Sequence, residues 1–114
     1  MVTARDPKTI EAFARERSDI AAVYLFGSEA AGRSRKGSDL DLALLVTRDV
    51  GGMERVDLET ELPRRLGRDV DLVIFHRVPP LLKHQVLASG RLVCEIDRAE
   101  RIRQEIREVR GGRP

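Results

Sequence analysis

One stretch decides the fold: Gly27-Ser28-Glu29-Ala30-Ala31-Gly32-Arg33-Ser34-Arg35-Lys36-Gly37-Ser38-Asp39-Leu40-Asp41. An apolar run covers residues 20–26 before it, and a second apolar run covers residues 42–46 after it. Apolar runs of this length, bounded by glycine and polar residues, are typical of buried strands. The stretch therefore predicts two strands joined by a turn, with a short helix over residues 29–31 inside the turn.

Two aspartates stand at the start of the second predicted strand. Asp39 and Asp41 are two residues apart, so a strand projects both carboxylates from one face while Leu40 points into the core. Carboxylates this close repel each other unless something neutralises them. Mg²⁺ and Mn²⁺ take oxygen ligands together with substrate phosphates. The pair therefore indicates a site for a divalent metal ion.

The glycine and serine at the end of the first predicted strand supply the other half of this site. Gly27 allows a sharp turn or a close approach to a ligand, and Ser28 is placed to cap the short helix, which Gly32 would end. Free N–H groups at a helix start bind phosphate oxygens. We expect metal on one side of the site and a triphosphate on the other.

Three basic residues in the same loop leave two interpretations open. Arg33, Arg35 and Lys36 either form a solvated basic loop or contact the triphosphate. Cations beside a triphosphate are useful, but they are not required where metal ions neutralise its charge. The sequence does not decide between the two.

Taken together, Gly27-Ser28, ten intervening residues and Asp39-Leu40-Asp41 resemble the signature of the DNA polymerase β-type nucleotidyltransferase superfamily. The short chain and the serine before Asp39 make it most similar to the minimal nucleotidyltransferases, the MntA-like group. The resemblance implies an α/β (α+β) fold, with a mixed β-sheet packed with helices like the polymerase β palm. It also implies an enzyme that moves a nucleoside monophosphate from a nucleoside triphosphate to a hydroxyl, with Mg²⁺ or Mn²⁺ as cofactor.

The resemblance further implies roles for individual residues. The catalytic and metal-binding residues are Asp39, Asp41 and Asp71, and the nucleotide-binding residues are Gly27, Ser28 and Ser38.

Asp71 stands in the third predicted strand, residues 69–75, between Val70 and Leu72. We expect a carboxylate in such a buried apolar run to be paired or bound to metal, because burying an unpaired charge is costly. Asp69 shares its face and is the alternative. Its position next to Arg68 and the turn predicts the solvated start of the strand, so we favour Asp71.

Caps and turn residues divide the rest of the chain. We expect Tyr24 to lie in the core with its hydroxyl bonded, and His76 and His84 to be ordinary surface residues. The stripe of residues 99, 102, 106 and 109 packs on its own domain or meets a partner chain. A first helix is predicted from Asp6-Pro7, and a second follows Gly51-Gly52, where Pro63 breaks or kinks it and Gly67 ends it. A third helix is predicted from Pro79-Pro80 to Gly90. An edge strand with Leu92, Cys94 and Ile96 comes next, and a last helix is capped by Asp97-x-x-Glu100.

Length and composition bound the remaining possibilities. The 114 residues predict a single domain, 1–114, and 41% hydrophobic with 35% charged residues predict a soluble globular protein. The absence of a long apolar run and of a secretory signal predicts a cytoplasmic protein with no membrane contact. A lone Cys94 excludes an internal disulfide, and a net charge of +2 is too small to indicate direct nucleic-acid binding.

Family analogy implies that the acceptor is a tyrosine of a HEPN-domain ribonuclease toxin, which the enzyme modifies with AMP from ATP. The protein would then be a type VII-like antitoxin, and we expect it to form a homo- or hetero-oligomer. Two alternatives stay open. One is an interaction module that blocks a partner without catalysis. The other is an enzyme that modifies a small molecule, such as an aminoglycoside hydroxyl.

Overall fold

Four strands and four α-helices make up the part of the chain that the computed structural model describes, residues 5–27 and 40–111. The short helix expected over residues 29–31 lies outside these ranges. In chain order the elements are α1 (Arg5–Arg15), β1 (Ile20–Phe26), β2 (Leu40–Val46), α2 (Gly52–Leu66), β3 (Val70–Ile74), a 3-10 turn (Phe75–Arg77), α3 (Pro80–Ser89), β4 (Arg91–Glu95) and α4 (Arg98–Gly111).

The strands form one mixed sheet in the order β3-β2-β1-β4. β1 pairs antiparallel with β2 and with β4, whereas β2 and β3 run parallel. The parallel pair needs a crossover connection, and α2 provides it. This architecture confirms the α/β (α+β) prediction of a mixed sheet packed with helices, and it places β4 at an edge as predicted.

The central strand β1 is buried on both faces, as its unbroken apolar sequence predicts. On one face its side chains meet α1, where Ile10 and Phe13 are at most 2% exposed, together with residues of α2. On the other face Tyr24 packs with Val86 of α3, and its hydroxyl bonds to Glu105, as predicted. Burying each large apolar side chain contributes roughly 1.5–3 kcal/mol, so these two layers fix the sheet between the helices.

Two expectations about helices are wrong. The break at Pro63 does not occur, because α2 continues to Leu66 and Gly67 then ends it with a left-handed φ of 67°. The proline lies in the last turn, where Gly67 N–H donates to its carbonyl at 2.9 Å, and the buried Leu62 holds this turn against the sheet. The first helix begins at Arg5, one residue before the expected Asp6 cap.

The C-terminal helix α4 has the predicted cap, and part of its apolar stripe is exposed. Glu100 N–H donates to the side chain of Asp97 at 3.0 Å, as a capping residue requires. Ile102 and Ile106, however, are 38% and 48% exposed, so this part of the stripe does not pack on its own domain. Among the described residues, no helix has the length and apolar character needed to cross a membrane.

Cys94 should be chemically inert in the folded protein. It is 7% exposed, and burial raises its pKa to about 11, so only about one thiol in a thousand is ionised at pH 8. We expect alkylation by iodoacetamide at pH 8 to be at least about a hundredfold slower in the native protein than in 6 M guanidinium. Equal rates in the two conditions would show that β4 opens readily.

Candidate active site

The end of β1 and the start of β2 bring Gly27 against Asp41. Phe26 is the register partner of Asp41 in the antiparallel ladder, and Gly27 follows directly with a φ of 74°. A Cβ built on Gly27 would lie 3.1 Å from Cγ of Asp41 and closer still to its Oδ2. Only glycine satisfies both requirements, since other residues rarely adopt this φ and none leaves room for the carboxylate.

The parallel ladder brings Asp71 beside Asp41. The two residues are register partners, and the next register partners on the same face are Ala43 and Val73. Neighbouring strands lie about 4.8 Å apart, so both carboxylates project side by side from the face that α3 covers further along. The structure therefore places two of the three predicted carboxylates at one end of the sheet, next to the Gly27 turn.

The burial argument for Asp71 is wrong, because this residue is exposed. It lies on β3, which is an edge strand, and only Leu72 and Ile74 of that strand are buried. A carboxylate there has no large desolvation cost to offset. What singles out Asp71 is its register with Asp41. Asp69 precedes the strand, as expected, and its carbonyl accepts the N–H of Leu40 at 3.1 Å.

The other predicted site residues fall in the segment that the structure does not describe. These are Ser28, Arg33, Arg35, Lys36, Ser38 and Asp39. Residues 5–27 and 40–111 contain no cluster of three potential metal ligands. Asp41 and Asp71 nevertheless form a pair of hard oxygen donors at a solvent-accessible sheet end, and this donor set fits Mg²⁺ or Mn²⁺, which keep further positions for water and phosphate.

The opposite end of the sheet carries polar groups that sequence reasoning missed. His76 Nε2 lies 2.9 Å from Asp49 Oδ1, and Arg77 Nε donates to the same oxygen at 2.8 Å. The hydrogen bond from Arg77, and then the one from His76, holds the pKa of Asp49 well below its usual range. His76 and Arg77 are 27 and 28 residues from Asp49 in the sequence, so no local pattern could have predicted the cluster.

A cleft of about 560 Å³ lies at this opposite end as well. Asp19 and Val50 line it, and they flank the start of β1 and the end of β2. Ile20 and Val46 are register partners at that end, whereas Phe26 and Asp41 are partners at the other. The cleft is therefore separated from the carboxylate pair by the length of the sheet and forms no part of this site.

The described site is thus a mixed sheet with adjacent carboxylates on neighbouring strands, beside a glycine turn. The family model "Polymerase beta, Nucleotidyltransferase" matches residues 8–99. The chain belongs to the polymerase beta nucleotidyltransferase family, which confirms the resemblance found in the sequence.

Individual relatives within this family can also be compared with the chain. The chain is similar to the protein adenylyltransferase MntA of Shewanella oneidensis, with 35% identity over 69 residues, 60% of this chain and 50% of MntA. It thus spans half the length of that curated relative. Its fold resembles a chain from the crystal structure of a toxin-antitoxin with AMP-PNP, at TM-score 0.78 and 24% identity, covering 92% of this chain and 85% of that one.

A further structural neighbour comes from the complex of tri-AMPylated Shewanella oneidensis HEPN toxin with MNT antitoxin. The TM-score is 0.74 at 22% identity, and the match covers 94% of this chain and 83% of that one. Similarity at this identity establishes the common fold.

Replacing Gly27 tests the contact with Asp41. We expect Gly27→Ala to lower the free energy of unfolding by about 2–4 kcal/mol, from the cost of a positive φ plus steric overlap with the carboxylate. Urea denaturation measures this loss. The matched control is Gly67→Ala, because Gly67 has a φ of 67° with open space around its Cβ position and should lose only about 1 kcal/mol.

A double mutant separates the two terms for Gly27. In an Asp41→Ala background the overlap is removed, so Gly27→Ala should then cost no more than Gly67→Ala does. Equal costs for Gly27→Ala with and without the Asp41 carboxylate would contradict the contact.

Proposed function

We propose that this chain transfers AMP from ATP to a tyrosine hydroxyl of a HEPN-domain ribonuclease toxin and so acts as its antitoxin in the cytoplasm. One observation carries the proposal: the register that sets Asp41 beside Asp71 at the Gly27 turn. Membership of the nucleotidyltransferase family supports the reaction class. The names of the relatives support the acceptor, since they combine protein adenylyltransferase with HEPN toxin complexes.

Asp41 and Asp71, together with Asp39, would hold Mg²⁺ or Mn²⁺. When bound, these ions neutralise the triphosphate and lower the pKa of the acceptor hydroxyl. Gly27, Ser28 and Ser38 would bind the phosphates, and the missing side chain at Gly27 lets the turn approach them closely. The neighbouring carboxylates on the rigid β2–β3 ladder provide fixed positions for this chemistry.

The acceptor reaches the site from the side of β3 in this proposal. Asp71 is exposed on an edge strand, so a tyrosine of another protein can approach it without displacing any part of the described fold. The acceptor oxygen would attack the α-phosphorus, the bond to the β-phosphate oxygen would break, and pyrophosphate would leave in line. The acceptor proton would pass to the Asp71 carboxylate in the same step and from there to solvent.

Incubation with α-³²P-ATP, Mg²⁺ and a HEPN-domain protein encoded beside this chain tests the reaction. We expect Asp41→Asn and Asp71→Asn to reduce labelling about 10²–10³-fold, because each removes several kcal/mol of charge stabilisation. Asp69→Asn is the matched control, since Asp69 is exposed and only two residues from Asp71. It should retain activity within about threefold. An equal loss in Asp69→Asn and Asp71→Asn would remove the assigned role of Asp71.

The same variants distinguish catalysis from blocking. An interaction module neutralises its partner by binding, so Asp41→Asn should then still suppress the ribonuclease when ATP is omitted. A modifying enzyme requires ATP, and we expect Asp41→Asn to leave the ribonuclease active. RNA cleavage measured with and without ATP decides between these outcomes, and labelling of an aminoglycoside in place of protein would instead support the small-molecule alternative.

A further inference from the structure

α4 turns its polar side to the sheet. Gln104 is 7% exposed, and its Nε2 donates to the carbonyl of Val46 at 2.8 Å. Arg101 donates to Glu105 at 2.6 Å and is also ion-paired with Glu95. Glu105 bonds in turn to the Tyr24 hydroxyl. Hydrogen bonds with defined partners hold this side inward, so the rotation of the helix about its axis is fixed.

The outward side of α4 exposes two isoleucines as a consequence. Ile102 and Ile106 are four residues apart and therefore lie one above the other on the helix surface. They are 38% and 48% exposed. Leu92 on β4, which is 41% exposed, is the register partner of Tyr24, and so it faces the same side of the sheet as α4. Three exposed apolar side chains thus lie on two consecutive elements, on the same side of the sheet.

Unpaired arginines accompany these apolar residues. Within the described ranges, no ion pair or side-chain hydrogen bond is formed by Arg91, Arg98 or Arg107, and all three are exposed. Elsewhere arginines are ion-paired with carboxylates: Arg15, Arg17, Arg48, Arg55, Arg64, Arg65, Arg68, Arg77, Arg101 and Arg103. Among the arginines whose side chains the structure describes, the unpaired ones therefore lie on β4 and α4.

Helical geometry places the arginines around the isoleucines. At 100° per residue, Arg98 lies on one flank of the Ile102–Ile106 row and Arg107 lies beyond the other flank. We define the α4 stripe as Arg98, Ile102, Ile106 and Arg107. It lies almost entirely outside residues 8–99, which match the family model.

We propose that the α4 stripe is a docking surface for an acidic amphipathic helix of a partner protein, with Leu92 of β4 on the same side of the sheet. Apolar residues of that helix would cover Ile102 and Ile106, and its flanking carboxylates would pair with Arg98 and Arg107. Charge complementarity selects this occupant, because the surface offers cations without partners around an apolar row. Under the proposed function the partner is the modified toxin, but the surface itself rests only on the contacts above.

Two other occupants fit less well. Residues 91–111 contain no aromatic side chain on which a base could stack, which disfavours single-stranded nucleic acid. A membrane-surface helix presents a wide apolar face with Trp, Phe or Leu, whereas α4 exposes two isoleucines and holds its other side against the sheet. Both become outcomes of the test.

Fluorescence anisotropy of a labelled 18-residue helical peptide tests the proposal. The peptide carries Leu at positions i, i+4, i+7 and i+11 with Glu on both flanks, and a second peptide replaces every Glu by Lys. We expect the full-length chain to bind the Glu peptide and to lose at least about tenfold affinity when Ile102→Glu and Ile106→Glu are combined. The combination Arg98→Glu with Arg107→Glu should reverse the preference toward the Lys peptide.

The matched control is Met53→Glu combined with Val56→Glu. These two residues are 80% and 51% exposed and lie on a different helix, α2, so affinity should stay within about twofold. Circular dichroism checks that each variant keeps its helices. We expect Asp41→Asn to lose labelling activity but to bind the peptide normally. This combination agrees with both the transferase assignment and the docking surface, and it shows that the two can be tested separately.

Three results would overturn the docking surface. The first is equal weakening by the α2 and α4 variants, and the second is no measurable binding of the Glu peptide at 200 μM. The third is tighter binding of the wild-type chain to phosphatidylglycerol vesicles or to a 20-nucleotide oligothymidine, with loss on the same α4 substitutions, which would assign the stripe to a membrane or to nucleic acid.

Discussion

The carboxylate end of the sheet depends on the antiparallel register that pairs Phe26 with Asp41 and so brings Gly27 against the Asp41 carboxylate. A slip of one residue would move Asp41 to the opposite face and bring a leucine to the turn. The apolar residues of β1 and β2, which are buried on both faces, prevent that slip, so the core sets the position of a polar site at its margin.

The parallel β2–β3 ladder extends this constraint to the second carboxylate. Because β2 begins with Leu40 opposite Val70, Asp71 necessarily falls beside Asp41. Two like charges at this separation repel in the absence of a cation, and this cost is tolerable because Asp71 is on an exposed edge. Among the described residues, the same exposure leaves this carboxylate pair open on the side of β3.

Much of the fold could be predicted from the sequence, because the signals are local. The bounds of β1 follow from its apolar run, and the ends of α2 and α3 follow from Gly67 and Gly90. The exposure of Asp71 could not be predicted, because an apolar strand has the same sequence pattern at the centre of a sheet and at its edge. The pairing of Asp49 with His76 depends on loops that meet only after folding. For the site, the sequence predicted both described carboxylates, while their register required the structure.

The packing of α4 could not be predicted from the sequence either. Its apolar row has the spacing of a helix face that packs on a core, yet the buried position belongs to Gln104, which bonds to the end of β2. Buried polar contacts of this kind fix orientation more than they add stability, since each net hydrogen bond contributes only about 1 kcal/mol. A helix that buries its polar side leaves its apolar residues exposed to solvent. Arg98 and Arg107 lie on the same helix as Ile102 and Ile106, so the orientation that Gln104 and Glu105 impose also leaves charge and hydrophobic surface together on α4.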